Sequence, residues 1–139
     1  MILLDTNVIS ALMRPTPDFA VLQWLDRQPA ASIWTTTVTL LEIRYGLQSM
    51  PPGKKRDRMT VEFERTLAED LQNRIAVFDL VAAEHAAELM AYRKRNGNQV
   101  EIRDCMIAGI ALATRATIAT RNVSHFSDLS TPVVNPWMD

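Results

Sequence analysis

Three carboxylates and one amide stand at predicted boundaries between buried strands and helices. They belong to Asp5, Glu42, Asp104 and Asn122. Asp5 directly follows an apolar, strand-like segment and Asn122 comes just after another, whereas Glu42 and Asp104 lie near the starts of predicted helices. In parallel sheets, ligands gather beyond the carboxyl ends of the strands. We therefore expect these four side chains to converge at one edge of a sheet.

The chemistry of such a cluster follows from its charge. Converging carboxylates repel one another, so the cluster requires a cation or raised pKa values. Mg²⁺ prefers hard oxygen ligands and often binds one or two carboxylates together with water and a substrate phosphate. A cation held there can polarise a phosphodiester and activate water. The cluster thus favours metal-assisted phosphodiester hydrolysis, with Mn²⁺ as an alternative oxygen-liganded ion.

Each of the four residues also has a purely structural explanation. Asp5 can be a helix N-cap, and Glu42 can be the partner of Thr39 in a capping box. Asp104 can be a first-turn acid favoured by the helix dipole, and Asn122 can be a turn residue. Spacing alone leaves both explanations open for every residue.

The composition disfavours several other kinds of site. The two histidines, His85 and His125, have no companion at a zinc-binding spacing. With four glycines, the chain has little room for a P-loop or a G-x-G-x-x-G motif. The single cysteine, Cys105, cannot form an internal disulfide, as is typical of a reducing compartment. Since no apolar run reaches about 18 residues, we expect a cytoplasmic protein that does not contact a membrane.

The elements that must position these residues alternate along a chain of 139 residues, the size of one domain. Short apolar runs predict five strands: Ile2–Leu4, Ile33–Thr36, Ile75–Phe78, Thr117–Thr120 and Val133–Val134. Strands that alternate with helices favour a parallel sheet covered on both faces. We therefore predict a single α/β domain over residues 1–139, with three α/β/α layers around about five short parallel strands.

The helices between the strands carry their own start and stop residues. Pro17 behind Thr16 predicts one helix start, and the Thr39 capping box predicts a helix that runs to about Ser49. Three further helices are predicted from periodicity: one through Met59, Phe63, Leu67 and Leu71, one over Val81–Arg95 closed by Asn96 and Gly97, and a small-residue helix over Asp104–Arg115. The stripe on the first of these could face the core or a partner.

The residues around the acidic positions resemble the motifs of a PIN domain, and of VapC-type, FitB-like toxins in particular. The resemblance is carried by Met1–Val8, Glu42–Gly46, Ile102–Ala108, Thr120–Phe126 and Val134–Trp137. These segments follow one another in the family's order and at ordinary spacings. The resemblance therefore covers essentially the whole chain.

This resemblance implies a Mg²⁺-dependent endoribonuclease, the toxin of a type II toxin–antitoxin pair. Asp5, Glu42 and Asp104 match the family's acidic core, with Asp5 and Asp104 as metal ligands and Glu42 helping to hold the metal or its water. Asn122 falls where many relatives carry a further catalytic acid, and His125 where an aspartate often precedes the phenylalanine. The implied partners are an RNA substrate, a VapB-like antitoxin, a second copy of the chain in a homodimer, and operator DNA through the antitoxin only.

Two other functions compete with this one. Asn122 and His125 stand at positions where relatives often carry an acid, so the site has fewer carboxylates. This favours a non-catalytic module that acts with an antitoxin on operator DNA. A receiver-like phosphoacceptor needs a lysine after a late strand, and none of Lys54, Lys55 and Lys94 has that position. The basic runs at residues 54–56 and 93–95 are expected to be solvated faces. Arginines near the motifs could contact phosphate or neutralise carboxylates: Arg14, Arg44, Arg103 and Arg121.

Overall fold

A computed structural model describes residues 1–139 and contains one five-stranded parallel sheet. The strands are β1 (Ile2–Leu4), β2 (Ile33–Thr36), β3 (Ile75–Ala76), β4 (Thr117–Ala119) and β5 (Val133–Val134). Their order across the sheet is β3-β2-β1-β4-β5, with every neighbouring pair parallel. The predicted five-strand parallel sheet is confirmed, although β3 and β4 end earlier than predicted, at Ala76 and Ala119.

Six α-helices connect and cover the strands. They are α1 (Thr6–Leu12), α2 (Phe19–Asp26), α3 (Thr37–Ser49), α4 (Lys54–Arg65), α5 (Leu80–Arg95) and α6 (Ile102–Thr114). A short 3₁₀ turn, Val123–Phe126, follows β4. None of the helices combines the length and the apolar character that a membrane crossing needs.

The strands send alternate side chains to two separate cores, as the two-residue period of a strand requires. Leu4 and Ala119 point into one core, which α1 to α4 complete, whereas Leu3 and Ile118 point into the other, which α5 and α6 complete. The predicted three-layer α/β/α architecture is therefore confirmed.

Helices α5 and α6 pack closely because small residues face each other. A Cβ atom placed on Gly109 of α6 would overlap the carbonyl oxygen of Ala82 and lie 3.0 Å from the Cβ of Ala86, both on α5. The tight packing predicted for the small-residue helix is confirmed. The end of α5 is also as predicted, since Asn96 caps it and Gly97 follows with a φ of +71°.

Two predicted helix starts are wrong. Helix α2 does not begin at Pro17 but after Asp18, whose carboxylate accepts a hydrogen bond from the Ala20 amide at 2.9 Å. Strand β2 runs directly into α3, so its last residue, Thr36, is the N-cap and accepts from the amide of Thr39 at 3.1 Å. The predicted capping box is therefore absent, and Glu42 lies one turn inside α3.

The long helix predicted through residues 59–71 is interrupted. Helix α4 ends at Arg65, and the chain continues as a π-helical turn, Thr66–Asp70, in which the amide of Leu71 bonds to the carbonyl of Thr66 at 3.0 Å. Phe63, Leu67 and Leu71 are buried in the core that α1 to α4 complete. The apolar stripe thus serves the core rather than a partner.

Candidate active site

Asp5 joins the central strand to the first helix. Its backbone amide donates to the carbonyl of Ala119 at 2.9 Å, which ties the end of β1 to the end of β4. Its Oδ1 accepts from the amide of Thr6 at 2.7 Å, so Asp5 is the N-cap of α1. The structural explanation and the predicted placement at the sheet edge are therefore both correct for this residue.

The four predicted site residues meet at the carboxyl edge of the sheet. They line one cleft of about 380 Å³, which we call the acidic cleft: Asp5, Glu42, Asp104 and Asn122. Asp104 is in the first turn of α6, as its structural explanation required. Asn122 is exposed and directly precedes the 3₁₀ turn. The predicted convergence is confirmed, while the catalytic roles of these residues stay predictions.

A buried threonine holds the carboxylate of Asp5. The hydroxyl of Thr120 donates to Asp5 Oδ2 at 2.8 Å and accepts from the amide of Asn122 at 3.0 Å. The Asn7 amide group reaches the same hydroxyl at 3.2 Å, and its Oδ1 accepts from the amide of Arg121 at 3.0 Å. Asp5 is thus oriented by groups from α1 and from the segment after β4. The part that Asn7 plays was missed from the sequence, although Asn7 is in the opening motif.

Two basic side chains face the other carboxylates. Arg103 Nη1 lies 3.5 Å from Glu42 Oε2, and His125 Nδ1 lies 2.9 Å from Asp104 Oδ2. The side chains of Arg103 and His125 are about half exposed, at 54% and 50%, whereas those of Glu42 and Asp104 are only 19% exposed. Both basic side chains are therefore much more open to solvent than the carboxylates that they pair with.

Burial dominates the electrostatics of all three acids. Burial raises the pKa of Asp5, although the hydrogen bond from Thr120 opposes the shift. Burial also raises the pKa of Glu42 against the charge of Arg103, and it raises the pKa of Asp104 against the charge of His125. The charge of Asp104 further raises the pKa values of both Asp5 and Glu42. Burial therefore opposes the simultaneous ionisation of the three carboxylates, and a further cation in the cleft would favour it.

The basic run at residues 93–95 is not wholly a solvated face. The side chain of Arg93 is 7% exposed, and its Nη2 and Nε bond to the two carboxylate oxygens of Asp128 at 2.8 and 3.0 Å. Its Nη2 also donates to the carbonyl of His125 at 2.8 Å, and its Nη1 lies 3.6 Å from Cys105 Sγ. Arg93 therefore fixes the segment that carries His125 next to the start of α6.

The sequence contained a signal for the burial of Arg93. It continues the buried face of α5 at helical spacing, after Ala82, Ala86 and Leu89. Of the four arginines near the motifs, only Arg103 lines the acidic cleft. Arg44 pairs with Glu64 at 2.6 Å instead, and Arg121 stacks on the ring of Trp137.

The donor chemistry of the acidic cleft fits a hard divalent cation. Its acidic donors are carboxylate oxygens whose ionisation a bound cation would favour. Mg²⁺ needs only one or two such ligands beside water and substrate phosphate. The side chains do not form a finished cage, because no three His, Cys, Asp or Glu side chains surround one point. Asp5, Glu42 and Asp104 are the residues that could hold the ion.

Comparison with known proteins defines the class. The PIN domain model matches residues 2–130. The chain is 39% identical to the VapC ribonuclease Y4jK of Sinorhizobium fredii, over 99% of this chain and 98% of the relative. It is 34% identical to Toxin FitB of Neisseria gonorrhoeae over the full length of both. The chain therefore belongs to the PIN-domain family. Within that family it belongs to the group that contains VapC and FitB.

A solved structure supports the same assignment. The chain superposes on a protein chain in the structure of FitAB bound to an IR36 DNA fragment with a TM-score of 0.88 and 34% identity. The match covers 100% of this chain and 97% of the other. Fold and family agree, and the receiver-like hypothesis loses its support.

Proposed function

We propose that this protein is a Mg²⁺-dependent endoribonuclease and the toxin of a type II toxin–antitoxin pair, inhibited by a VapB-like antitoxin. The observation that carries the proposal is the convergence of Asp5, Glu42, Asp104 and Asn122 in one cleft whose three acids have raised pKa values. Relatives named as a ribonuclease and as a toxin support it.

The residues of the acidic cleft have distinct roles in this proposal. Asp5 and Asp104 are the principal ligands for Mg²⁺, or for Mn²⁺ in its place, and Glu42 helps to hold the ion or its water. A bound divalent ion would polarise the phosphodiester and lower the pKa of water. Thr120 keeps Asp5 in position, since its hydroxyl donates to Asp5 Oδ2. Asn122 contributes a neutral amide, so it adds no charge for a second ion.

Arg103 and His125 respond to the charge in the cleft. Each pairs with a carboxylate of the acidic cleft and has an exposed side chain that can turn away. Once released, either side chain could contact an RNA phosphate, and the planar guanidinium of Arg103 suits two-point contact.

Cleavage of labelled total RNA by the antitoxin-free protein, with Mg²⁺ and with EDTA, tests the proposal. Asp104→Asn should lower Mg²⁺-dependent cleavage more than about 100-fold, because loss of outer-shell partners alone costs about 10–100-fold. Asp57→Asn is the matched control, since it removes an exposed carboxylate of α4 outside the acidic cleft.

A binding measurement separates loss of the metal from loss of the fold. Saturating Mg²⁺ should raise the melting temperature of the wild type and of Asp57→Asn, because a ligand that binds only the folded state stabilises it. It should leave Asp104→Asn unchanged. Metal-independent cleavage, or full activity of Asp104→Asn, would refute the proposal.

A non-catalytic module that acts on operator DNA with its antitoxin is the second candidate. The observation in its favour is that Asn122 is neutral and that Arg103 and His125 already pair with two of the three acids. The structural relative FitAB is bound to DNA. A gel-shift assay with the antitoxin present and absent tests it, and the absence of DNA binding in both cases would remove it.

A further inference from the structure

A second polar cleft opens beside the acidic cleft. It has a volume of about 400 Å³, and no hydrophobic side chain lines it. Glu101, Asp104 and His125 line both clefts, so the two spaces adjoin. We call the second space the side cleft. Any polymer whose reacting group lies in the acidic cleft can extend into it.

The side cleft offers unused hydrogen-bonding groups. Asn98 and Gln99, from the α5–α6 loop, are exposed, and their side-chain amides have no partner within the chain. The Ser124 hydroxyl on the opposite wall is also free, whereas Ser127 Oγ donates to the Ser124 carbonyl at 3.1 Å. An amide offers two donors and an acceptor, and a hydroxyl offers both functions. This set matches the edge of a base or the hydroxyls of a ribose.

The charge of the side cleft disfavours a phosphate. Its only permanent cation is Arg93, which is already paired with both oxygens of Asp128. Glu101 and Asp104 add negative charge on the side shared with the acidic cleft. A phosphate would therefore face carboxylates without a free guanidinium or ammonium group, and the other basic side chain, His125, already pairs with Asp104. No Phe, Tyr or Trp lines the side cleft, so the half-exposed His125 ring is the one aromatic group there on which a base could stack.

Both walls of the side cleft are held by one residue. The Asn98 amide donates to the carbonyl of Arg93 at 2.9 Å, which fixes the α5–α6 loop after Gly97. The side chain of Arg93 binds Asp128 and the carbonyl of His125, which fixes the opposite wall. A cleft with anchored walls needs little ordering when a ligand binds, and this favours affinity.

We propose that the side cleft binds the unpaired nucleoside next to the scissile phosphate of the RNA, through hydrogen bonds from Asn98, Gln99 and Ser124 to its base edge and ribose. The inference rests on the proposed ribonuclease function, because it places the scissile phosphate in the acidic cleft. Single-stranded RNA is commonly recognised on such exposed base edges. The consequence is a sequence preference at one position beside the cleaved bond.

The cleavage-site profile of a random-sequence RNA pool tests this inference. The double variant N98A/Q99A should lower the preference at one flanking position about tenfold, the loss expected for one or two hydrogen bonds. The rise in melting temperature on adding saturating Mg²⁺ should match that of the wild type, since neither residue lines the acidic cleft. Gln23→Ala, an exposed amide on α2, is the matched control and should leave the profile unchanged.

A binding experiment without catalysis tests the chemistry of the ligand. In EDTA, uncharged nucleosides should shift the amide resonances of Asn98, Gln99 and Ser124, and inorganic phosphate should not. Shifts with phosphate alone, or none with any nucleoside, would overturn the inference. An unchanged profile in N98A/Q99A, with active wild type, would overturn it and leave the ribonuclease proposal standing. A wild type that cuts no RNA would refute the ribonuclease proposal itself.

Discussion

The partly buried ion pair between Arg93 and Asp128 makes a quantitative prediction about stability. The Arg93 side chain is 7% exposed and that of Asp128 is 28% exposed. Breaking a buried pair by removing one partner costs about 3–5 kcal/mol, because a buried charge is left uncompensated. We expect Asp128→Ala to lower the free energy of unfolding by about 3 kcal/mol, at the low end, because water already reaches Asp128.

Truncation of Arg93 should lower the free energy of unfolding by less than truncation of Asp128. Arg93→Met keeps most of the apolar stem and leaves Asp128, the more exposed partner, to be hydrated, so about 2 kcal/mol is expected. The double variant R93M/D128A leaves no unpaired charge, so it should cost less than Asp128→Ala alone, about 2 kcal/mol. The cycle should therefore give a coupling free energy of about 3 kcal/mol.

Urea unfolding at pH 7 measures these differences, provided that the four proteins share one slope against urea. The coupling would be refuted if the losses of unfolding free energy in the two single variants added up to that of the double variant within about 0.5 kcal/mol. A pH series adds an independent check. The hydrogen bond from Arg93 lowers the pKa of Asp128 below its ordinary value of 3.8. The pair thus stabilises fully above pH 3.8, and the cost of Asp128→Ala should shrink as the pH falls below it.

Three further substitutions have distinct expected outcomes: one should lower stability, one should raise stability and one should lower activity. Gly109→Ala should destabilise the fold by about 1–3 kcal/mol, because the new methyl group meets the backbone of α5; thermal unfolding measures this. Thr66→Val should stabilise the fold by about 1 kcal/mol in urea unfolding, because the Thr66 hydroxyl is buried without a partner. Thr120→Val should lower Mg²⁺-dependent RNA cleavage about 10–100-fold, because it removes the donor to Asp5 Oδ2.

Each of these substitutions has a result that would contradict its explanation. If Gly109→Ala left the stability unchanged, α5 and α6 would have to separate easily. If Thr66→Val destabilised the fold, the Thr66 hydroxyl would have to have a partner. For Thr120→Val, unchanged cleavage would show that Asp5 holds its position without help. Thr120→Ser keeps the hydroxyl and is the control that should retain most of the activity.

The sequence predicted the sheet and the site because both depend on local patterns. The acidic positions follow from where strands end and helices begin, and Asp5 and Asp104 lie within two residues of an element boundary. The start of α3 was harder to predict. Since β2 passes into α3 with no loop, the cap is Thr36, a residue that also belongs to a strand.

Long-range contacts account for what sequence reasoning missed. The partner of Arg93 lies 35 residues away, on the segment after β4, and no local pattern joins the two. The pairing of His125 with Asp104 likewise depends on how that segment returns to the start of α6. The π-helical turn after Arg65 was also unmarked, because Phe63, Leu67 and Leu71 keep the spacing of a continuous helix.

The lengths of the strands have a consequence for self-association in concentrated solution. The inner strands β2, β1 and β4 have 4, 3 and 3 residues, whereas the edge strands β3 and β5 have 2 each. Prolines at positions 132 and 136 flank β5 closely and cannot donate a ladder hydrogen bond. An edge this short gives an incoming strand little backbone to pair with. Fibril growth by strand addition should therefore require the native sheet to open first.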